Sequence, residues 1–292
     1  MPVDLLPHRS RHPEILLDWT CRIGHSGNST SARTQNSQGL SVEVSFKFCD
    51  PPALSLCFAR WYDLNGSQRL AGEPSIRAAA GSFVLLAIAF SDGINPLYTD
   101  YFVYRAGPGA PSLYLLPRPY PARFSMNMVA VLPIGDDGGE HYDVVFPAVA
   151  FLVLESRHHY ALHIYRSDSK AWCTRVAQIA GDAETQNATV KVSLHFPTSV
   201  VYAGSGVIGW VDLWWGVLLC NVLDEQPRIR FLAAPVPEPC EPTEFFVEYR
   251  NPNPRPYRQM TMYNGVMKFI ELNYDQGWMA TTWTRSISGT RA

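Results

Sequence analysis

SVEVSFKF, residues 41–48, sets Val42, Val44, Phe46 and Phe48 in strict alternation with Glu43, Ser45 and Lys47. Successive side chains of an extended chain point to opposite faces, so this spacing predicts a strand with one apolar and one wet face. Asp50-Pro51-Pro52 ends it. The same spacing returns at Val190, Val192, Leu194 and Phe196, alternating with Lys191, Ser193 and His195. Between these anchors run β-branched and aromatic stretches cut by turn residues. No segment carries a convincing helical period, and residues 182–188 are the best place for a short helix.

Working outward, a loose repeat emerges. Residues 101–119 (YFVYRAGPGAPSLYLLPRP), 160–179 (YALHIYRSDSKAWCTRVAQI), 217–237 (VLLCNVLDEQPRIRFLAAPVP) and 266–285 (VMKFIELNYDQGWMATTWTR) each read as an apolar strand, a polar turn and a second strand. Successive units start about 50 to 60 residues apart, close to the period of kelch-type blades. A further apolar strand precedes several of them, at 83–90, 144–154 and 207–213. The expected fold is therefore all-β, built of antiparallel sheets and β-propeller-like. A large β-sandwich with similar hairpins is the alternative.

Composition agrees with a sheet protein. Charged residues are 17% of 292, and an exposed helical surface would need more Lys and Glu. The 23 prolines and 20 glycines supply the punctuation that many short strands need. A net charge of -2, with no Lys/Arg run, argues against nucleic acid as a partner. Arg250, Arg255 and Arg258, spaced by prolines, read as a solvated loop. The apolar runs are too short for a membrane helix, and the N-terminus has no signal-peptide h-region. The expected setting is intracellular, cytoplasm or nucleus. The six cysteines form no CxxC pair and are expected to be reduced thiols. Residues 1–40 read as a leader whose 24–39 stretch, poor in bulky apolar residues, is a flexible loop. Residues 41–285 read as a single β domain, and 286–292 as a polar tail.

Several motifs invite chemical readings. Gly204-Ser205-Gly206-Val207-Ile208-Gly209 fits GxGxxG, with Asp224 about 20 residues on. A dinucleotide site needs a helix opening at the third glycine. Here that glycine runs into Trp210-Val211-Asp212-Leu213-Trp214-Trp215-Gly216, which reads as two buried strands and a turn. His158, His159 and His163 lie on a strand, where alternation separates them too far to share zinc unaided. Asp136-Asp137-Gly138-Gly139-Glu140 lacks the order of a calcium loop and reads as a hairpin turn. Ser205 lacks the flanks of a nucleophile elbow. No residue is thus nominated as catalytic, cofactor-binding or metal-ligating. Trp210, Asp212, Trp214 and Trp215 form the candidate interaction surface, since aromatic residues are favoured in binding hot spots. Their other reading is a β core.

The stretches DYFVYRAGPGAPSLYLLPRP (100–119), YALHIYRSDSKAW (160–172), GWVDLWWGVLLCNVLDE (209–225) and MATTWTR (279–285) together resemble the plant family called domain of unknown function 1618, expanded in grasses. SFKFCDPPALS (45–55) and LLDWTCRIGHSGNSTSA (16–32) fit the same resemblance. The family carries no established activity or catalytic residues, so the resemblance transfers none. It implies β domains similar in style to those that follow F-boxes, although no F-box-like helical region precedes the β body. It also implies a chain that stops early, after the MATTW element, leaving the propeller incomplete at its C-terminus. The expected function is that of a non-catalytic protein-interaction module with an unknown protein partner. The alternatives are a truncated non-functional family member, and a small-molecule binder or enzyme with its site on one face of the β domain.

Overall fold

The computed structural model describes residues 15–62, 69–91, 98–107, 109–118, 120, 128–135, 139–150, 159–188, 195–204, 206–234, 257–263, 266–273 and 279–286. The chain divides into two compact units. The first holds Met1–Tyr120 with Ala130–Asp143, and the second holds Pro121–Val129 with Val144–Ala292. The expected β domain of 41–285 spans both units. Both are all-β and mainly antiparallel, with nearly closed, barrel-like sheets to which the propeller-like description applies loosely.

In the first unit the strands are β1 (Leu17–Ile23), β2 (Ala32–Gln35), β3 (Ser41–Lys47), β4 (Ser55–Tyr62), β5 (Arg69–Leu70), β6 (Ser75–Ala80), β7 (Phe83–Ser91), β8 (Tyr98–Arg105), β9 (Ser112–Leu115) and β10 (Ala130–Ile134). β11 (His141–Ala150) begins here and ends in the second unit. The sheet order is β2-β3-β4-β1-β6-β7-β8-β9, with β5 beside β7. The alternation read at 41–48 is that of β3: Val42, Val44 and Phe46 enter the core with Cys57, Leu86, Ile88, Phe102 and Tyr104. On the other face Glu43 is also buried, at 2% exposure. It lies in register between Arg33 of β2 and Arg60 of β4. Both guanidiniums bond its carboxylate, and Tyr62 donates to it. A wet position thus becomes buried because its own neighbours cover it.

The two ends of this sheet are drawn together by polar contacts. The buried Asp100 of β8 accepts hydrogen bonds from the Ser37 N–H, just past β2 (2.9 Å), and from Arg118 (3.0 Å). The Tyr104 hydroxyl donates to the Thr30 carbonyl (2.8 Å).

The expected leader is part of this body. β1 pairs with β4 in parallel and touches β6 at Thr20–Ser75, and β2 pairs with β3. The polar composition of 24–39 misled because its side chains bond main chain rather than water. Asn28 donates to the Phe46 carbonyl (2.8 Å), and Thr30 Oγ1 accepts the Phe46 N–H (2.7 Å). Asn36 Oδ1 accepts the N–H groups of Gln38 and Leu40, fixing the β2–β3 turn. Side-chain oxygens and amides have replaced apolar burial as the ordering force.

In the second unit follow β12 (His159–Arg166), β13 (Ala171–Ile179), α1 (Ala183–Asn187), β14 (Ser199–Gly204), β15 (Val207–Asp212), β16 (Gly216–Asn221), β17 (Arg228–Ala233), β18 (Arg258–Tyr263), β19 (Val266–Asn273) and β20 (Met279–Ser286). The order continues from the end of β11 as β12-β13-β17-β16-β15-β14, and β18-β19-β20 form a separate sheet. All four hairpins read from the sequence are present, as β8–β9, β12–β13, β16–β17 and β19–β20. Met260, Met262, Met267 and Phe269 of the three-stranded sheet pack with Val201, Val211, Val217, Leu219 and Leu232 of β14–β17.

The short helix expected at 182–188 is α1, and its role is to cover a strand edge. β17 pairs with β13 only at Arg228 and Ile229. Beyond that point the Phe231 N–H donates to Thr185 Oγ1 (2.9 Å) and the Ala233 N–H to Glu184 Oε1 (3.1 Å). Two side chains of α1 thus replace a missing ladder partner. Arg285 of β20 holds Glu184 by two bonds, 2.8 and 2.7 Å. Among the described residues no helix is long and apolar enough to cross a membrane.

Candidate functional site

The β15–β16 hairpin organises the residues singled out in the sequence. All six residues of β15 are buried. Gly209 sits mid-strand, where a Cβ would come within 2.8 Å of Val201 and 2.9 Å of Val217. Gly204 and Gly206 flank the β14–β15 turn, both at positive φ. The GxGxxG stretch is therefore a hairpin whose third glycine makes room for packing, and no helix opens there to receive a pyrophosphate. Ser205 lies outside the described residues.

Trp210 is fully buried, and its Nε1 donates to the Met128 carbonyl (2.8 Å). An indole buried this deeply is core: it removes ~200 Å² from water, about 5 kcal/mol. It offers nothing to a surface. Asp212, 4% exposed, builds the turn. Its Oδ1 accepts the Trp214 N–H (2.9 Å), its Oδ2 the Phe196 N–H (3.0 Å), and its carbonyl the Trp215 N–H (3.2 Å). The ladder then closes at Asp212–Gly216. Gly216 has φ +145°, and a Cβ there would meet the Leu232 carbonyl oxygen at 2.1 Å, so only glycine fits.

The turn lifts Trp214 and Trp215 to half-buried positions. Arg258 lies over Trp214, 4.5 Å from the ring centroid. Its guanidinium is fixed by Glu271 Oε1 (2.9 and 2.8 Å) and by the Leu213 carbonyl (3.3 Å). Arg258 is thus a strand residue with a 12% exposed side chain, where a solvated loop was expected. Arg250 and Arg255 lie outside the described residues. Phe196 is 58% exposed, and Tyr257, the residue before Arg258, is 39% exposed.

Sequence reasoning placed Phe196 on an apolar strand face and His195 on the wet one. The structure has the reverse, with both residues in a loop before β14; residues 190–194 lie outside the described set. The N–H of Phe196 is taken by Asp212, which turns its ring outward, while His195 Nε2 donates to the Trp210 carbonyl (2.7 Å). A carbonyl only accepts, so Nε2 carries the proton in the neutral ring. Nδ1 is buried with no hydrogen-bond partner among the described residues. Burial pushes the His195 imidazole below its ordinary value, against the opposing charge of Asp212 and the bond to Trp210. Phe196 and Arg258 were missed because they draw their positions from Asp212 and Glu271, which are distant in sequence.

His163 Nδ1 bonds Thr174 Oγ1 (3.0 Å), its partner across β12–β13. His158 and residues 136–138 lie outside the described residues. Among the described residues no three His, Cys, Asp or Glu side chains gather as a metal site. The first unit separately holds a cavity of ≈ 500 Å³ lined by Leu17, Phe46, Phe48, Ala79, Val84 and Tyr104, among others.

No curated protein matches the chain. Residues 210–291, which run from Trp210 through β20 and carry Asp212, Trp214, Trp215, Tyr257 and Arg258, match the model of the family described as Protein of unknown function (DUF1618).

Proposed function

We propose that the chain is a non-catalytic protein-interaction module whose contact surface is the aromatic turn of the second unit. The observation that carries this reading is the pre-organised set of Trp214, Trp215, Phe196 and Arg258 around the turn built by the buried Asp212, with the exposed Tyr257 next to Arg258 in the chain. Trp, Tyr and Arg dominate binding hot spots, because each buries a large area at small entropic cost. A turn already fixed by a carboxylate and an obligatory glycine has little left to lose on binding. The charge of Arg258 is met by Glu271, so the surface asks for an apolar protein segment rather than an acidic one. The net charge of -2 gives no attraction to nucleic acid or to anionic lipid. The five described cysteines are free thiols, which suits the cell interior as the place of action.

Affinity capture from an extract of the source organism, quantified by mass spectrometry, tests this. The intact chain is expected to retain one recurrent protein that the Phe196→Asp/Tyr257→Asp double variant loses, with unchanged thermal stability of the bait. Equal recovery on both baits rejects the surface. A second reading, binding of a small apolar molecule, is favoured by the cavity in the first unit, whose volume lies in the range of ligand sites. A thermal-shift screen of neutral aromatic metabolites tests it: no compound raising the midpoint sets it aside.

A further inference from the structure

Two of the buried thiols face each other. Cys21 of β1 and Cys57 of β4 are direct partners in the parallel ladder. Both are buried, at 1% and 0% exposure, in the apolar core of the first unit. Neighbouring strands lie ~4.8 Å apart, inside the Cα separation of ~4.4–6.8 Å that a disulfide spans. Both side chains enter the same core, so they stand side by side on one face of the sheet. The other described thiols lack this arrangement: Cys173 lies opposite Ile164, and Cys220 opposite Ile208 and Ile229.

We propose that Cys21 and Cys57 form a redox modification site, closing to a disulfide that staples β1 to β4 when a low-molecular-weight disulfide is the oxidant. The hydrogen bond to Cys21, with burial, holds the Cys57 proton above the usual thiol range. The first attack falls to Cys21, whose strand is the more easily freed, since β1 meets β6 at one residue pair, Thr20–Ser75. The Cys21 thiol gives its proton to solvent and the thiolate attacks one sulfur of the oxidant, releasing one equivalent of reduced thiol. The Cys57 thiol then loses its proton and attacks Cys21 Sγ of the mixed disulfide, releasing the second. Two thiols of the protein are oxidised, and one external disulfide is reduced to two thiols. Leu17, at the start of β1, lines the cavity of the first unit, so the staple also fixes one of its walls.

The test is incubation of the full chain with oxidised glutathione, followed by peptide mapping without reduction. Fragmentation should place the new bond between Cys21 and Cys57. The Cys49→Ser variant should form it equally, and Cys57→Ala should abolish it. Closing a loop of roughly 36 residues should raise the melting midpoint of the oxidised chain by roughly 10 °C. Three results overturn the proposal: both thiols remaining free, Cys21 halting as a glutathione adduct, or a bond to Cys49 instead. The mapping on the unaltered chain decides these without reference to whether the Cys57→Ala variant folds.

Discussion

Removing the carboxylate of Asp212 tests the architecture of the aromatic turn directly. The side chain is 4% exposed and accepts two backbone N–H groups, from Phe196 at 3.0 Å and Trp214 at 2.9 Å. A hydrogen bond to a charged acceptor contributes ~1.5–3 kcal/mol, and a buried N–H left without one bears its full desolvation cost. Asp212→Ala strips both acceptors and should cost about 3–5 kcal/mol. Asp212→Asn keeps one oxygen but sets an amide NH₂ against the second N–H, and should cost about 2–3 kcal/mol. Urea unfolding followed by tryptophan fluorescence reads these values, with Trp210 as a buried reporter in the same unit. The thermal midpoint of the alanine variant should fall by roughly 10 °C. A loss below ~1 kcal/mol for Asp212→Ala, or equal losses for the two variants, would refute the claim that this carboxylate holds the turn.

Three further expectations follow from the same geometry. Because the folded pKa of His195 is lowered, the unfolded chain binds the extra proton first; stability present above the ordinary value of 6.5 is lost as pH falls below it. Unfolding measured from pH 8 to 5 should show this loss, and His195→Gln should flatten it while keeping a donor for the Trp210 carbonyl. Gly216→Ala should cost far more than Gly209→Ala, about 1–3 kcal/mol for the latter: the first drives a Cβ into the Leu232 backbone, the second only into movable side chains, and chemical denaturation ranks them. Glu184→Ala should cost ~2 kcal/mol by exposing the Ala233 N–H as well as losing Arg285, whereas Arg285→Ala, removing one side of a partly exposed pair, should cost under ~1 kcal/mol; thermal melts of the two variants decide.

What was legible in the sequence was local. The alternation at 42–48 and the polar turns inside 101–119, 160–179, 217–237 and 266–285 are short-range signals, and each corresponds to a strand or hairpin. What was illegible depended on partners far along the chain. β1 and β2 are ordered by Asn28, Thr30 and Asn36, polar residues whose acceptors and donors no periodicity reveals. The division into two units is set by which strands share a core, and the sequence pattern is alike in both. Residue type alone grouped Trp214 and Trp215 with Trp210, which belongs to the core. Composition could not separate them; that took the pleat of β15 and the turn that follows it. Arg258 looked solvated because prolines surround it, and it is fixed instead by Glu271 across a strand pair.

The central claim is that the aromatic turn is where a partner binds. The most direct measurement is hydrogen–deuterium exchange of the full chain with and without the protein recovered by affinity capture. The account predicts new protection at 195–198, 213–215 and 257–258, with the backbone of β7 and β8 unchanged. Protection confined to the first unit, or none at these three segments, would contradict it.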